Sequence, residues 1–324
     1  MKPLRRTIIQ AAILFSLAFI LTSLHSSLSL AQQKQDVAPQ TLSSRRRADS
    51  VMLTVTVTDR RRNYVKGLTQ FNFTVSDGKQ EQQINAFSAS DVPLSVGILL
   101  DTSMSVENAD LKSVRSALGR FFQLSDKTNE YFLIGFGNQP KLLQDWTSDA
   151  ESILKHIGAV RLDEATALYD ACHLALKKFA SSRHQKHAII LISDGGDTIS
   201  ERSFVALRRS LEESDALLYS IGLQGRSHSG STMGLEGQAV LDELSTTTGG
   251  FLFSPDGEKQ LNAVFDMLAI EMRNQYTIGF SPTANDGKRH SLKVKVTLPP
   301  DAPRDMQSLT VRSRKSFYAK RNQP

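Results

Sequence analysis

Two short stretches bring together residue types that can do chemistry. Residues 101–105 read DTSMS and residues 193–198 read SDGGDT. Each follows an uninterrupted apolar run, VGILL before the first and AIILI before the second. Each run therefore predicts a strand covered on both faces that ends in a carboxylate. A carboxylate in that position is partly desolvated, which is costly unless a positive group or hydrogen bonds offset it. Neither stretch contains Lys, Arg or His. Hydroxyls and carboxylates without sulfur or imidazole are the donors that a hard divalent cation prefers, and Mg²⁺ needs only one or two carboxylates with water completing its shell.

The elements that must position these loops alternate between strand and helix. Residues 94–100 form a strand, and ADLKSVRSALGRFFQLS follows as a helix with Leu111, Val114, Leu118 and Phe121 on one side. EYFLIGFGN is a strand, PKLLQDWTS a short edge strand, and DAESILKHIGAV and ATALYDACHLALKKFA are helices. HAIILISDGGD is a strand, SERSFVALRRSLEES a helix capped by Ser200, and ALLYSIGLQ another strand. GQAVLDELSTTTGG, FLFSPD and EKQLNAVFDMLAIEMRNQ complete the series as helix, strand and helix. Apolar strands between amphipathic helices predict an α/β fold, a doubly wound and mostly parallel sheet. Ligands of such sheets bind beyond the carboxyl ends of the strands, so both acidic loops are expected on one rim.

The flanks are different in character. SVMLTVTVTD and YVKGLTQFNFTVSDGKQEQQINAFSAS carry the alternation of β-strands, with Phe71, Phe73 and Val75 on one face. At the far end QYTIGFSP, HSLKVKVTLPP and QSLTVRSRKSFYA read as three more strands. Neither block has enough strands to bury a core alone. They are expected to pair into one small β-sandwich made of N- and C-terminal strands, in which the α/β domain is inserted. The boundaries are residues 1–31 for a signal peptide, 32–47 for a linker, 48–91 and 274–324 for the two β segments, and 92–273 for the α/β domain.

The first residues are set apart from the fold. Lys2, Arg5 and Arg6 precede an apolar run, and small residues at Ser29 and Ala31 follow it, the order of a secretory signal peptide cut after Ala31. The alternative is an uncleaved anchor in the inner membrane, the only membrane contact expected. Either way the chain is exported, to the periplasm or beyond. Without Lys2, Arg5 and Arg6 the formal charge of +6 falls to +3, a mild excess that gives no reason to expect a nucleic-acid partner. The basic runs Arg45–Arg47 and Arg60–Arg62 read as solvated. The single cysteine, Cys172, excludes an intrachain disulfide and shares an apolar helix face with Leu168, Ala171, Ala175 and Phe179.

Asp-x-Ser-x-Ser after the first strand, a threonine in an intermediate loop, and SDG after a later strand resemble the von Willebrand factor type A (VWA) domain and its metal-ion-dependent adhesion site, over residues 92–273. The flanking YTIGFSP and VRSRKSFYA look like those of bacterial exported VWA-related proteins known from acidobacteria. The resemblance implies a Rossmann-like fold. It implies metal ligands at Asp101, Ser103, Ser105, Thr166 and Asp194, with the hydroxyls direct and the aspartates direct or through water. It also implies Mg²⁺, or Mn²⁺ or Ca²⁺, with an open position for the Asp or Glu of a partner protein. Two positions depart from the family pattern: Met104 stands where many members have Gly, and LDEAT lacks the Gly that often precedes the threonine. Asp163 and Glu164 add charge beside it, and Asp197 reads as a helix cap or a neighbour of the ligands.

Other readings of the same residues exist. Asp, Ser and Thr at strand-to-helix junctions also serve as ordinary helix caps, and the fold can persist as a scaffold that has lost its metal. A Mg²⁺-dependent phosphohydrolase of the haloacid-dehalogenase type also begins with Asp at the end of its first strand. It needs a second Asp two residues later, where this chain has Ser103. No G-x-S-x-G elbow is present. His184 and His187 read as surface residues and His228 as part of a solvated loop. The expectation is a non-enzymatic binding module.

Overall fold

A computed structural model describes residues 50–89, 91–106, 108–223, 231–298 and 308–320. The expected signal peptide and linker, Arg45–Arg47 and His228 lie outside the described residues. Four strands open the described chain: β1 (Val51–Thr58), β2 (Phe73–Asp77), β3 (Gln80–Gln82) and β4 (Ile84–Ser88). The middle runs β5 (Leu94–Asp101), α1 (Asn108–Leu124), β6 (Glu130–Phe136), β7 (Pro140–Thr147), α2 (Ala150–Gly158) and α3 (Leu168–Lys178). It continues with β8 (Lys186–Ser193), α4 (Phe204–Glu213), β9 (Leu217–Gly222), α5 (Thr232–Thr248), β10 (Leu252–Phe253) and α6 (Glu258–Arg273). Four strands close it: β11 (Gln275–Phe280), β12 (Arg289–Val296), β13 (Thr310–Arg312) and β14 (Ser316–Tyr318).

The middle strands form a six-stranded sheet in the order β10-β9-β8-β5-β6-β7. Its pairs are parallel except for edge strand β7, which runs antiparallel to β6. Every residue of β5 is buried, as the continuous apolar run requires. Alternation then sorts the side chains. Val96, Ile98 and Leu100 join Ile190 and Ile192 under α1, α2 and α6, through residues such as Phe121, Ile153 and Phe265. Leu99 joins Ile189 and Leu191 on the opposite face, under α3, α4 and α5, with Cys172, Leu207 and Leu244. Residue 97, on that second face, is a glycine because the Phe132 ring occupies the space; a Cβ there would sit 2.3 Å from it. From β5 the chain moves to β6 and β7 on one side, then returns through α2 and α3 to β8 on the other side of β5, so the winding reverses between β5 and β8. That is where ligands of such sheets bind.

The flanking strands form two antiparallel sheets, β13-β1-β11-β4 and β14-β12-β2-β3. Each mixes N- and C-terminal strands, with β1 paired to β11 and β2 to β12. Leu53, Val55, Ile278 and Phe280 from the first sheet meet Phe73, Val75, Leu292 and Phe317 from the second in one apolar cluster, the packing of a small sandwich. Three details differ from the sequence reading. Phe71 falls in a short 3₁₀ turn before β2 and is 95% exposed, so it takes no part in this core. The chain breaks at Gln83, which lets β3 pair with β2 while β4 crosses to β11. QSLTVRSRKSFYA is two strands, one per sheet, because Ser313–Lys315 carries the chain from β1 to β12.

Helix starts also differ. Ser203, one residue before α4, is its cap and accepts from the Ala206 amide. Ser200, the expected cap, instead accepts from the Asp170 amide and donates to Asp197. α5 begins at Thr232, with Ser231 as its cap, so STMGLEG is helical or capping sequence where a loop was expected. Among the described residues no helix is long and apolar enough to cross a membrane.

Candidate metal centre

Strand alternation decides which way the acidic ends face. Asp101 follows Leu99 by two residues and Ser193 follows Leu191 by two, so both fall on the face covered by α3, α4 and α5. The last register pair recorded between these strands is Leu100 with Ile192, and one further step sets Asp101 beside Ser193. The Ser193 hydroxyl donates to Asp101 Oδ2 at 2.5 Å and accepts from the Gly195 amide at 3.0 Å. The Ser103 amide donates to Asp101 Oδ1 at 2.9 Å. The Ser103 and Ser105 hydroxyls are 2.8 Å apart. Asp194 receives the Gly196 amide at 3.0 Å, and its charge is felt at Asp101.

Thr166 arrives on a third segment, between α2 and α3. Asp163 in that segment pairs with the first loop, its amide donating to the Thr102 carbonyl and its carbonyl accepting from the Met104 amide. The Thr166 amide donates to the Thr198 hydroxyl at 2.9 Å, and the Thr198 amide returns a bond to the Thr166 carbonyl at 2.8 Å. The backbone beyond β6 supports this segment: Gly137 accepts from the Ala167 amide, and the Asn138 side chain accepts from the Ala165 amide. Asp163 packs so closely on Gly137 that a Cβ there would lie 2.3 Å away. All five expected residues therefore stand on hydrogen-bonded loops at one rim. The Thr166 hydroxyl is not hydrogen-bonded to the other four.

The electrostatics set Asp101 apart. Among the described residues four carboxylates are buried: Asp101, Glu130, Glu212 and Glu271. Glu130 faces Arg183, Glu212 faces Arg289 and Glu271 faces Arg312. Asp101, with 0% exposure, has no cationic side chain within ion-pair distance. Burial, with the Asp194 charge adding, raises its carboxyl to about 6 against the opposing bonds from Ser103 and Ser193. These residues fit a hard divalent cation: every donor is oxygen, and the buried charge has no counterion among the described residues. No three His, Cys, Asp or Glu side chains cluster as a metal site among the described residues, so such a site has to use hydroxyls.

Around the rim, Met104 is anchored by its backbone while its side chain stands 66% exposed. Asp163 lies 3.9 Å from Lys141, a half-exposed pair of small energetic weight. Asp197 accepts from the Tyr169 amide and the Ser200 hydroxyl, so it serves the start of α3, not the helix that follows it in sequence. His187 is only 15% exposed, sits on Asp215 and stacks on Phe179, contrary to the surface reading. Burial pushes the Cys172 thiol far up, which suits a structural residue and not a nucleophile. Ser193, Thr198, Gly137 and Asn138 were not singled out from sequence. Ser193 alone carried a usable signal, since it shares strand parity with a buried acid.

The carboxylate, with hydroxyls from separate loops near it, thus stands at the reversal point of an open, doubly wound α/β domain. Residues 96–196 match the family profile of the von Willebrand factor type A domain. The chain thus carries a VWA domain. No curated protein matches it. Among solved structures it is similar to an aerotolerance-related membrane protein from Bacteroides fragilis, at 20% identity over 55% of this chain and 98% of that one, TM-score 0.45. It is also similar to the vWF domain of the type V pili tip protein Mfa5 from Porphyromonas gingivalis, at 15% identity over 56% and 95%, TM-score 0.46. BatB from Bacteroides thetaiotaomicron gives 20% identity over 55% and 98%, TM-score 0.44. Nothing about the activity of those proteins passes to this chain at such values.

Proposed function

We propose that this chain is an exported, non-enzymatic interaction module that captures an acidic group of another protein through a divalent cation. Asp101, Ser103, Ser105, Thr166 and Asp194 hold the ion, Mg²⁺ first and Mn²⁺ or Ca²⁺ as substitutes. The bound ion supplies a positive centre with one exchangeable position, which a partner's Asp or Glu carboxylate fills. The observation that carries this reading is the buried Asp101 carboxylate, which has no cationic partner among the described residues, where the other three buried carboxylates each face an arginine. The protein's part is to hold oxygens in place: Ser193 and the Ser103 amide fix the carboxylate, and the Thr166–Thr198 bonds fix the third loop. The dehalogenase reading lacks its acid/base residue, because the position two after Asp101 is a serine hydrogen-bonded to another serine.

Saturating Mg²⁺ is expected to raise the melting temperature, since a ligand at ~100 times its Kd adds about 2.7 kcal/mol. Chelator should reverse the rise, and Asp101→Ala should abolish it with the circular dichroism spectrum unchanged. Wild-type protein indifferent to Mg²⁺, Mn²⁺ and chelator would leave only the VWA scaffold standing. Recovery of a partner with Mg²⁺ but not with chelator tests the binding half.

A further inference from the structure

Resting on the proposed cation site, we infer that Ser193 is the positioning residue that orients Asp101 and joins the two acidic loops into one ligand set. Ser193 is fully buried at the last position of β8. Its hydroxyl has two partners, and their chemistry fixes the direction of both bonds. The Gly195 amide can only donate, so the Ser193 oxygen accepts there and its own proton goes to Asp101 Oδ2. At 2.5 Å this is a short, charge-assisted bond. Asp101 Oδ1 takes the Ser103 amide from its own loop. The carboxylate is thus held from both acidic loops, by Ser103 of its own loop and by Ser193 at the start of the other. An arginine in place of Ser193 would hold the carboxylate as well but would bring a charge that competes with a cation. A hydroxyl orients Asp101 without neutralising it. The same oxygen, through the Gly195 amide, fixes the backbone that carries Asp194.

The test uses the full chain and Mn²⁺ as probe, with affinity read by calorimetry or by the loss of the free-ion paramagnetic resonance signal. Ser193→Ala is expected to weaken Mn²⁺ binding ~10–100-fold, the usual cost of losing a residue that orients a metal ligand. Ser193→Thr, which keeps the hydroxyl, should stay within about threefold of wild type, while Ser193→Cys keeps the volume with a poor donor and should fall with the alanine variant. Cys against the wild-type serine decides the matter even if the threonine methyl is not accommodated. Circular dichroism on metal-free samples separates lost orientation from lost fold. Wild-type affinity in a folded Ser193→Ala or Ser193→Cys protein would overturn this inference and leave the cation site intact. Absence of Mn²⁺ binding in wild type would overturn the cation site itself, and this inference with it.

Discussion

Replacing Glu271 by alanine is expected to lower folding stability by about 3–5 kcal/mol, the range for stranding one half of a buried ion pair. Glu271, in α6, is 4% exposed and joins the α/β unit to the flanking sheets. It accepts from the Tyr219 hydroxyl at 2.7 Å, the Tyr64 hydroxyl at 3.3 Å and Thr56 at 3.4 Å, and it pairs with Arg312 of β13. Burial, with the Glu271 charge adding, raises both phenols, so they remain donors across the working pH range. Removing the carboxylate strands the guanidinium, whose Nε already lacks a partner. Thermal unfolding should show a drop on the order of 10 °C. Adding Arg312→Met should recover part of it, because the stranded charge goes too. A loss below about 1 kcal/mol would mean that the cluster is hydrated and does not couple the two units.

Gly195→Ala is expected to cost about 3 kcal/mol, combining backbone strain with overpacking, and to weaken metal binding at the same time. Gly195 sits at φ +89°, and a Cβ there would lie 2.1 Å from the Gly237 carbonyl in α5. The three nearest atoms, the Gly237 O, C and Cα, are all backbone. Either α5 must shift or the Asp194 loop must move, and the Gly195 amide that bonds Ser193 moves with it. Denaturant unfolding measures the first effect and Mn²⁺ titration the second. A variant with lowered stability and unchanged Mn²⁺ affinity would show that the loop reaches the site independently of its packing on α5.

The central sheet was legible because a buried parallel strand announces itself. VGILL and AIILI have no polar interruption, and their acidic ends fall on one rim by the topology alone. The pairing of the two terminal β blocks followed from neither being able to bury its own face, and the shared cluster of Val55, Val75 and Phe280 is the result. What stayed hidden depends on contacts distant in sequence. Phe71 satisfies the strand alternation but precedes β2 in a turn where its ring finds no neighbours to bury it. Ser200 and Ser203 are equally good caps by type, and only the Asp170 amide, which engages Ser200, assigns the role to Ser203. Arg289 and Arg312 look like surface residues of exposed strands until the buried glutamates opposite them are seen. Among the described residues the same comparison isolates Asp101 as the buried acid without an arginine.

The most direct measurement is Mn²⁺ stoichiometry at the rim, by paramagnetic resonance on the full chain and on Asp101→Ala and Asp194→Ala. One ion per wild-type chain, displaced by Mg²⁺ and lost in both folded variants, is the expected result. Wild-type protein that takes up no ion, or variants that bind it as wild type does, would contradict the assignment of these oxygens to a cation.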